Sequence, residues 1–296
     1  MASAAGATQQ LNSETCNGWS RFFPSNPYGC LRSIPSKLHV FGIEAFYTIT
    51  NCLPNRISWF YRSTICKSIS HTKLEATVEK TTKIATLHLH APISTTPNQH
   101  TYAVLWLHGD HSDATTMLDL VDISQKENIG SVFTLDMPTE VDHTELSRTL
   151  IRNSINKIEE MIKAKGGSLE GLIIGGHSKG GIQAAHHGFV EKDPRIKGVI
   201  SIAGRLKVLD SPEKACRKPL ENTVRAIDQA ISDNPEIPLL QIAGKRDWCT
   251  LLDAMIVRKD PLAFIDEHAS HINILGSKIT QTEVPKFLKR FAATSN

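Results

Sequence analysis

The sequence contains no run of 18 consecutive apolar residues, so a membrane-spanning helix is not among the expected elements. It has no large excess of either charge. The 33 Lys and Arg against 30 Asp and Glu leave +3, too little for the whole chain to read as a nucleic-acid binder. Neither glycine signature of phosphate binding occurs, G-x-x-x-x-G-K-[ST] or G-x-G-x-x-G. Cysteine is scarce, six in 296 residues. Cys16–Cys30 and Cys52–Cys66 share a spacing of 14, which would suit disulfides. However, the first 20 residues lack the basic and apolar regions of a secretory signal, so free thiols are the expectation. No compartment is fixed by this; the cytoplasm is the default. There is no internal repeat and no low-complexity tract.

The residues that are present fall into two unlike parts. Residues 1–70 hold six Lys and Arg against two acidic residues, four of the six cysteines, and most of the aromatic residues. Within them, two short amphipathic stretches over 36–66 would pack on the body of the protein, cover a site as a lid, or touch a membrane surface. Residues 71–296 have a different rhythm. "KLEATVEK" and "KIATLHLHAP" alternate like an antiparallel hairpin. Apolar runs ("YAVLWL", "SVFTLD", "LEGLIIGG", "IKGVISIAG", "IPLLQIAG", "LAFID") then alternate with helical patterns. The clearest helix spans 144–165, with Leu150, Ile151, Ile155, Ile158 and Ile162 on one stripe. Such alternation predicts an α/β fold, a mainly parallel sheet with an N-terminal antiparallel hairpin, helices on both faces and a minimal cap.

One junction carries a chemical signal. Gly176-His177-Ser178-Lys179-Gly180 matches G-x-S-x-G, a pattern that chance alone produces in roughly one chain of this length in ten. Its setting is more telling, because it joins an apolar strand to an amphipathic helix, as the nucleophile elbow requires. Gly176 and Gly180 are the small residues that such a tight turn needs. The backbone N–H of Lys179, at the helix start, would face a developing oxyanion.

A serine nucleophile needs a base and an orienting acid. In open α/β sheets these sit beyond the carboxyl ends of strands. Asp247 follows "PLLQIAG" and His271 follows the last strand, giving the chain order Ser, Asp, His. Backbone N–H of Asp110, after "AVLWLHG", is the first choice for a second oxyanion donor. His268 is a rival base, and Asp210 and Asp228 are rival acids. Asp136 is read as capping a turn, His177 as packing beside the elbow, His186 and His187 as structural or surface residues, and Cys249 as a buried thiol. The Lys179 side chain is expected in solvent. "HGDHSD" has a superficial likeness to the H-x-H-x-D-H zinc hydrolases, but Trp106 stands where the first histidine belongs, so no metal site is expected.

Four separated elements, "LHGD", "GGHSKGG", "AGKRD" and "ASHINI", together resemble the α/β-hydrolase superfamily over roughly 74–292. The chain looks most like the compact, nearly capless group of dienelactone-hydrolase-like, chlorophyllase and polyester-hydrolase/lipase enzymes. The resemblance implies Ser178 as nucleophile, Asp247 as acid, His271 as base, and Asp110 and Lys179 as oxyanion donors, with no cofactor. The expected reaction is hydrolysis of a small-molecule or lipid-like ester or thioester. The alternatives are a non-catalytic binding protein on this fold, or another chemistry of the same triad such as peptidase or cofactor-free peroxidase activity.

Overall fold

The structure, a computed structural model, describes residues 70–292 apart from 91–92, 94–99, 111, 139–143, 209–217, 248, 251 and 257–261. The readings made for the segment 1–70, including its lid or membrane role and its cysteines, lie outside the described residues save for Ser70.

Eight strands form one sheet: β1 (Ser70–Val78), β2 (Thr81–Leu89), β3 (His100–Leu107), β4 (Ser131–Asp136), β5 (Ser168–His177), β6 (Ile196–Ile202), β7 (Leu239–Gly244) and β8 (Ala263–Asp266). Their lateral order is β1-β2-β4-β3-β5-β6-β7-β8. β1, β2 and β4 pair antiparallel, and every pair from β4 to β8 is parallel. The mainly parallel sheet with an antiparallel start is thus as the sequence predicted. β1 and β2 bury only one face, through Leu74, Ala76, Ala85 and Leu87, so their residues alternate. Strands β3 to β6 are covered on both faces, which explains their unbroken apolar runs.

The helices are α1 (Leu118–Lys126, preceded by a 3₁₀ turn Ala114–Met117), α2 (Glu145–Ala164), α3 (Lys179–Ala185), α4 (Lys218–Asp233), α5 (Leu252–Met255) and α6 (Lys278–Ala292). Two cores result, one on each side of the sheet. Leu105, Phe133 and Ile174 share one with the α2 stripe and with Val224 and Ile227 of α4. Val104, Trp106, Ile173 and Ile200 share the other with Leu120 of α1 and with Val284, Phe287 and Leu288 of α6. Each of the five stripe residues of α2 is fully buried. At about 2 kcal/mol apiece they supply gross stabilisation well beyond helix propensity.

Two features of the helices stand out. The helix behind the elbow ends in a single π turn, His186–Val190, where the Glu191 N–H reaches back to the His186 carbonyl at 3.0 Å. The closing helix, Lys278–Ala292, runs through Pro285, a residue that ordinarily breaks a helix. Among the described residues no helix is long and apolar enough to cross a membrane.

Candidate active site

Ser178 lies between the end of β5 and the start of α3 with φ 54° and ψ −118°. A non-glycine residue there is strained by about 1–3 kcal/mol. Packing enforces the turn. The Ser178 N–H donates to the Ile202 carbonyl at 2.8 Å, tying the elbow to the end of β6. A Cβ at Gly180 would collide with the Leu107 carbonyl, and one at Gly176 with the Gly180 backbone. The two glycines are therefore demanded by the crossing of β5, α3 and the end of β3.

Beyond β7 and β8, two loops clasp each other. Lys245 N–H donates to the Asp266 carbonyl (2.8 Å) and Arg246 N–H to the Ala269 carbonyl (3.0 Å). This clasp brings Asp247 to His271: His271 Nδ1 is 2.7 Å from Asp247 Oδ2, and the Asp247 side chain is 1% exposed. The other carboxylate oxygen, Oδ1, accepts the backbone N–H groups of Cys249 and Thr250, both at 2.8 Å. With both oxygens engaged, the carboxylate is fixed and the imidazole is oriented by it.

His177, the residue before Ser178, joins this pair to the elbow. Its Nε2–H donates to the His271 carbonyl at 2.6 Å, and the two rings are 4.9 Å apart. Burial, reinforced by the neighbouring His271, pushes the His177 pKa down to about 3, so the ring is neutral.

The loop after β3 completes the cluster. A Cβ placed on Gly109 would lie 3.3 Å from Ser178 Cβ, so this loop abuts the elbow. Its conformation is set by His108, whose Nε2 accepts the Met137 N–H at 2.9 Å. That bond leaves the proton on Nδ1, which donates to the Gly109 carbonyl at 2.7 Å. Ser112 Oγ donates to the same carbonyl at 2.8 Å. In a trans peptide the N–H points opposite to the C=O, so fixing the Gly109 carbonyl also fixes where Asp110 N–H aims.

No protein-family model and no curated protein matches the sequence. Solved structures do match. A ferulic acid esterase superposes with a TM-score of 0.56 at 14% identity, over 75% of this chain and 98% of its own. Est1E from Butyrivibrio proteoclasticus gives 0.51 at 16% identity, over 75% and 99%. FphF, a fluorophosphonate-binding serine hydrolase of Staphylococcus aureus, gives 0.50 at 14% identity, over 74% and 98%. The chain has the α/β-hydrolase fold.

On this hydrolase fold, Ser178, Lys179, Asp110, Asp247 and His271 all gather at the carboxyl edge of the sheet. His268 is exposed and its ring faces Arg246 Nη2 at 3.4 Å; the histidine paired with Asp247 is His271. Asp228 sits on α4, and Asp210 lies outside the described residues. Asp136 ends β4 with Oδ1 3.6 Å from His108 Nε2. His186 and His187 are buried, and burial pushes their pKa values down to about 4 and about 3.

Two expectations need correction. The Lys179 side chain is not in solvent: it is 10% exposed, and its Nζ lies 3.5 Å from Asp110 Oδ1. The residues expected to donate backbone N–H groups are thus also held together by their side chains. Cys249 is not buried but exposed. Its thiol, a carboxylate oxygen of Asp247 and a ring nitrogen of His271 lie within 4.8 Å of one another. Trp106, in contrast, is fully buried, with Nε1–H donating to Ser124 Oγ at 3.0 Å. The role of His108 escaped sequence reasoning, although the residue stands in "LHGD"; its partner Met137 is 29 residues away.

Proposed function

We propose that the protein is a serine hydrolase that cleaves a carboxylic ester or thioester through an acyl-enzyme. The observation that carries this reading is the strained elbow serine at the end of β5, placed on the same sheet edge as a buried His271–Asp247 pair at 2.7 Å. The catalytic body is assigned to residues 71–296, with 1–70 a separate segment.

In this reading Ser178 Oγ attacks the substrate carbonyl carbon while His271 Nε2 takes its proton. Asp247 accepts the Nδ1–H, which keeps Nε2 as the basic nitrogen and offsets the charge of the imidazolium formed. The tetrahedral oxyanion is received by the N–H groups of Asp110 and Lys179. One such donor is worth about 2.7–4 kcal/mol of barrier. His271 then protonates the leaving alcohol or thiol, and the carbonyl re-forms as the leaving bond breaks. Water, deprotonated by the same nitrogen, releases the acid and restores Ser178. No step needs a cofactor. Hydrolases whose names specify esters, such as the ferulic acid esterase, share the fold, in keeping with a small-molecule ester substrate.

A series of p-nitrophenyl esters from acetate to palmitate, with one aryl thioester, tests this reading. Turnover with saturation on at least one of them is expected. Folded protein that hydrolyses none would contradict it.

A further inference from the structure

We propose that Asp247, Cys249 and His271 form an inhibitory binding site for a thiophilic divalent cation, with Zn2+ the type ion. The three side chains offer one oxygen, one sulfur and one nitrogen within 4.8 Å of one another. This mixed set suits Zn2+, which takes carboxylate, thiolate and imidazole ligands in four-coordinate sites, and suits Mg2+ or Ca2+ poorly, since those ions prefer all-oxygen shells. Three protein ligands leave the fourth position to water or a small solvent ligand.

The exposure of Cys249 gives the ion a way in. The Asp247 side chain is buried and that of His271 is 10% exposed, but Cys249 beside them is exposed. The proposed ester reaction does not use that sulfur; the Cys249 backbone N–H holds Asp247, and a side-chain change leaves that N–H in place. Coordination takes the thiolate, with its proton released to solvent.

The geometry also says what binding would do. Bonds of about 2.0 Å from one tetrahedral Zn2+ to both a nitrogen and an oxygen separate those atoms by about 3.3 Å. His271 Nδ1 and Asp247 Oδ2 are 2.7 Å apart. An ion shared by the two therefore takes the Nδ1 lone pair, shifts the ring proton to Nε2 and spreads the pair. Nε2 then carries that proton and has no lone pair with which to accept one from Ser178. Bound metal and proton transfer exclude each other. The inhibitory half of the proposal rests on the reading of His271 as base; the binding half does not.

The full chain with Ser178→Ala, which removes no ligand, is titrated with Co2+ as a spectroscopic substitute for Zn2+. Thiolate-to-cobalt charge transfer and visible d–d bands are expected, both lost in a Ser178→Ala, Cys249→Ser double variant and both displaced by Zn2+. In parallel, ester turnover by the Ser178-containing protein is measured against Zn2+, with EDTA reversal. Cys249→Ser, referred to its own rate without Zn2+, should need at least about tenfold more Zn2+ for half-inhibition. The site is refuted by absent thiolate bands, or by Zn2+ inhibition equal in the parent and Cys249→Ser. If the cobalt bands appear but no ester is turned over, the metal site stands and the hydrolase reading fails.

Discussion

His177 donates Nε2–H to the carbonyl of His271 at 2.6 Å, with the two rings 4.9 Å apart. One elbow residue thus holds the backbone of the loop that presents the proposed base. Replacing it with Phe keeps a planar ring, although a larger one, and leaves that carbonyl without its donor. We expect His177→Phe to lower kcat about tenfold to a hundredfold through loss of alignment, with the fold retained by circular dichroism. An unchanged kcat would remove His177 from the account.

A comparable brace holds the loop after β3. His108→Ala takes away the donor to the Gly109 carbonyl and frees the Asp110 peptide to rotate. A lost oxyanion donor costs about 100-fold or more in kcat, so a partial loss, roughly tenfold to a hundredfold, is expected with KM nearly constant. Ser112→Ala removes the second bond to the same carbonyl and should have a smaller effect in the same direction. A rise in KM alone would mean that the loop binds substrate without serving the transition state.

The elbow glycines make a stability prediction with an internal control. A methyl group at Gly180 meets the Leu107 carbonyl backbone, which cannot move aside cheaply. Gly180→Ala should lose about 2 kcal/mol or more and lower Tm by several degrees. Gly166, at the end of α2, has φ +82°, but a methyl group placed there would meet nothing within 4 Å. Gly166→Ala therefore bears only the backbone cost, about 1 kcal/mol. Differential scanning calorimetry distinguishes them; equal losses would contradict the packing assigned to the elbow.

Acid should destabilise the fold well before the carboxylates titrate. Burial depresses His90 and His186 to about 4 and His177 and His187 to about 3. The unfolded chain, with histidines near 6.5, binds those protons first. Stability is therefore complete above pH 6.5 and falls as pH drops toward 4 to 3, by at most about 1.4 kcal/mol per pH unit for each such histidine. Glu159, held below its ordinary value by Lys163 and Arg195, and Glu191 and Asp193, held below theirs against the opposing effect of burial by Arg152 and Arg195 respectively, add losses at still lower pH. Urea midpoints at pH 7, 6 and 5 check this, and midpoints that do not change would contradict it.

The local parts of the fold were legible because they rest on periodicity. The α2 stripe, the one-faced hairpin and the two-faced apolar strands follow directly from the spacing of apolar residues, and so did the glycine-flanked Ser178. What escaped depends on partners distant in sequence. The position of β4 between β2 and β3 is a matter of which strands pair, which no strand's own residues encode. Lys179 reads as a surface cation until Asp110, 69 residues earlier, is brought beside it. The π turn at His186–Val190 accompanies the close approach of Gly188 to Val199 on β6. Cys249 follows Asp247 by two residues, and its exposure comes with the turn in which its N–H caps the Asp247 carboxylate.

The central claim is that Ser178 is the nucleophile, and active-site phosphonylation tests it most directly. The full chain is treated with a fluorophosphonate and the modified peptide is mapped by mass spectrometry, alongside Ser178→Ala. The account predicts one adduct, on Ser178, absent from the variant and greatly slowed by His271→Gln. An adduct elsewhere, or equal labelling of Ser178→Ala, would contradict it.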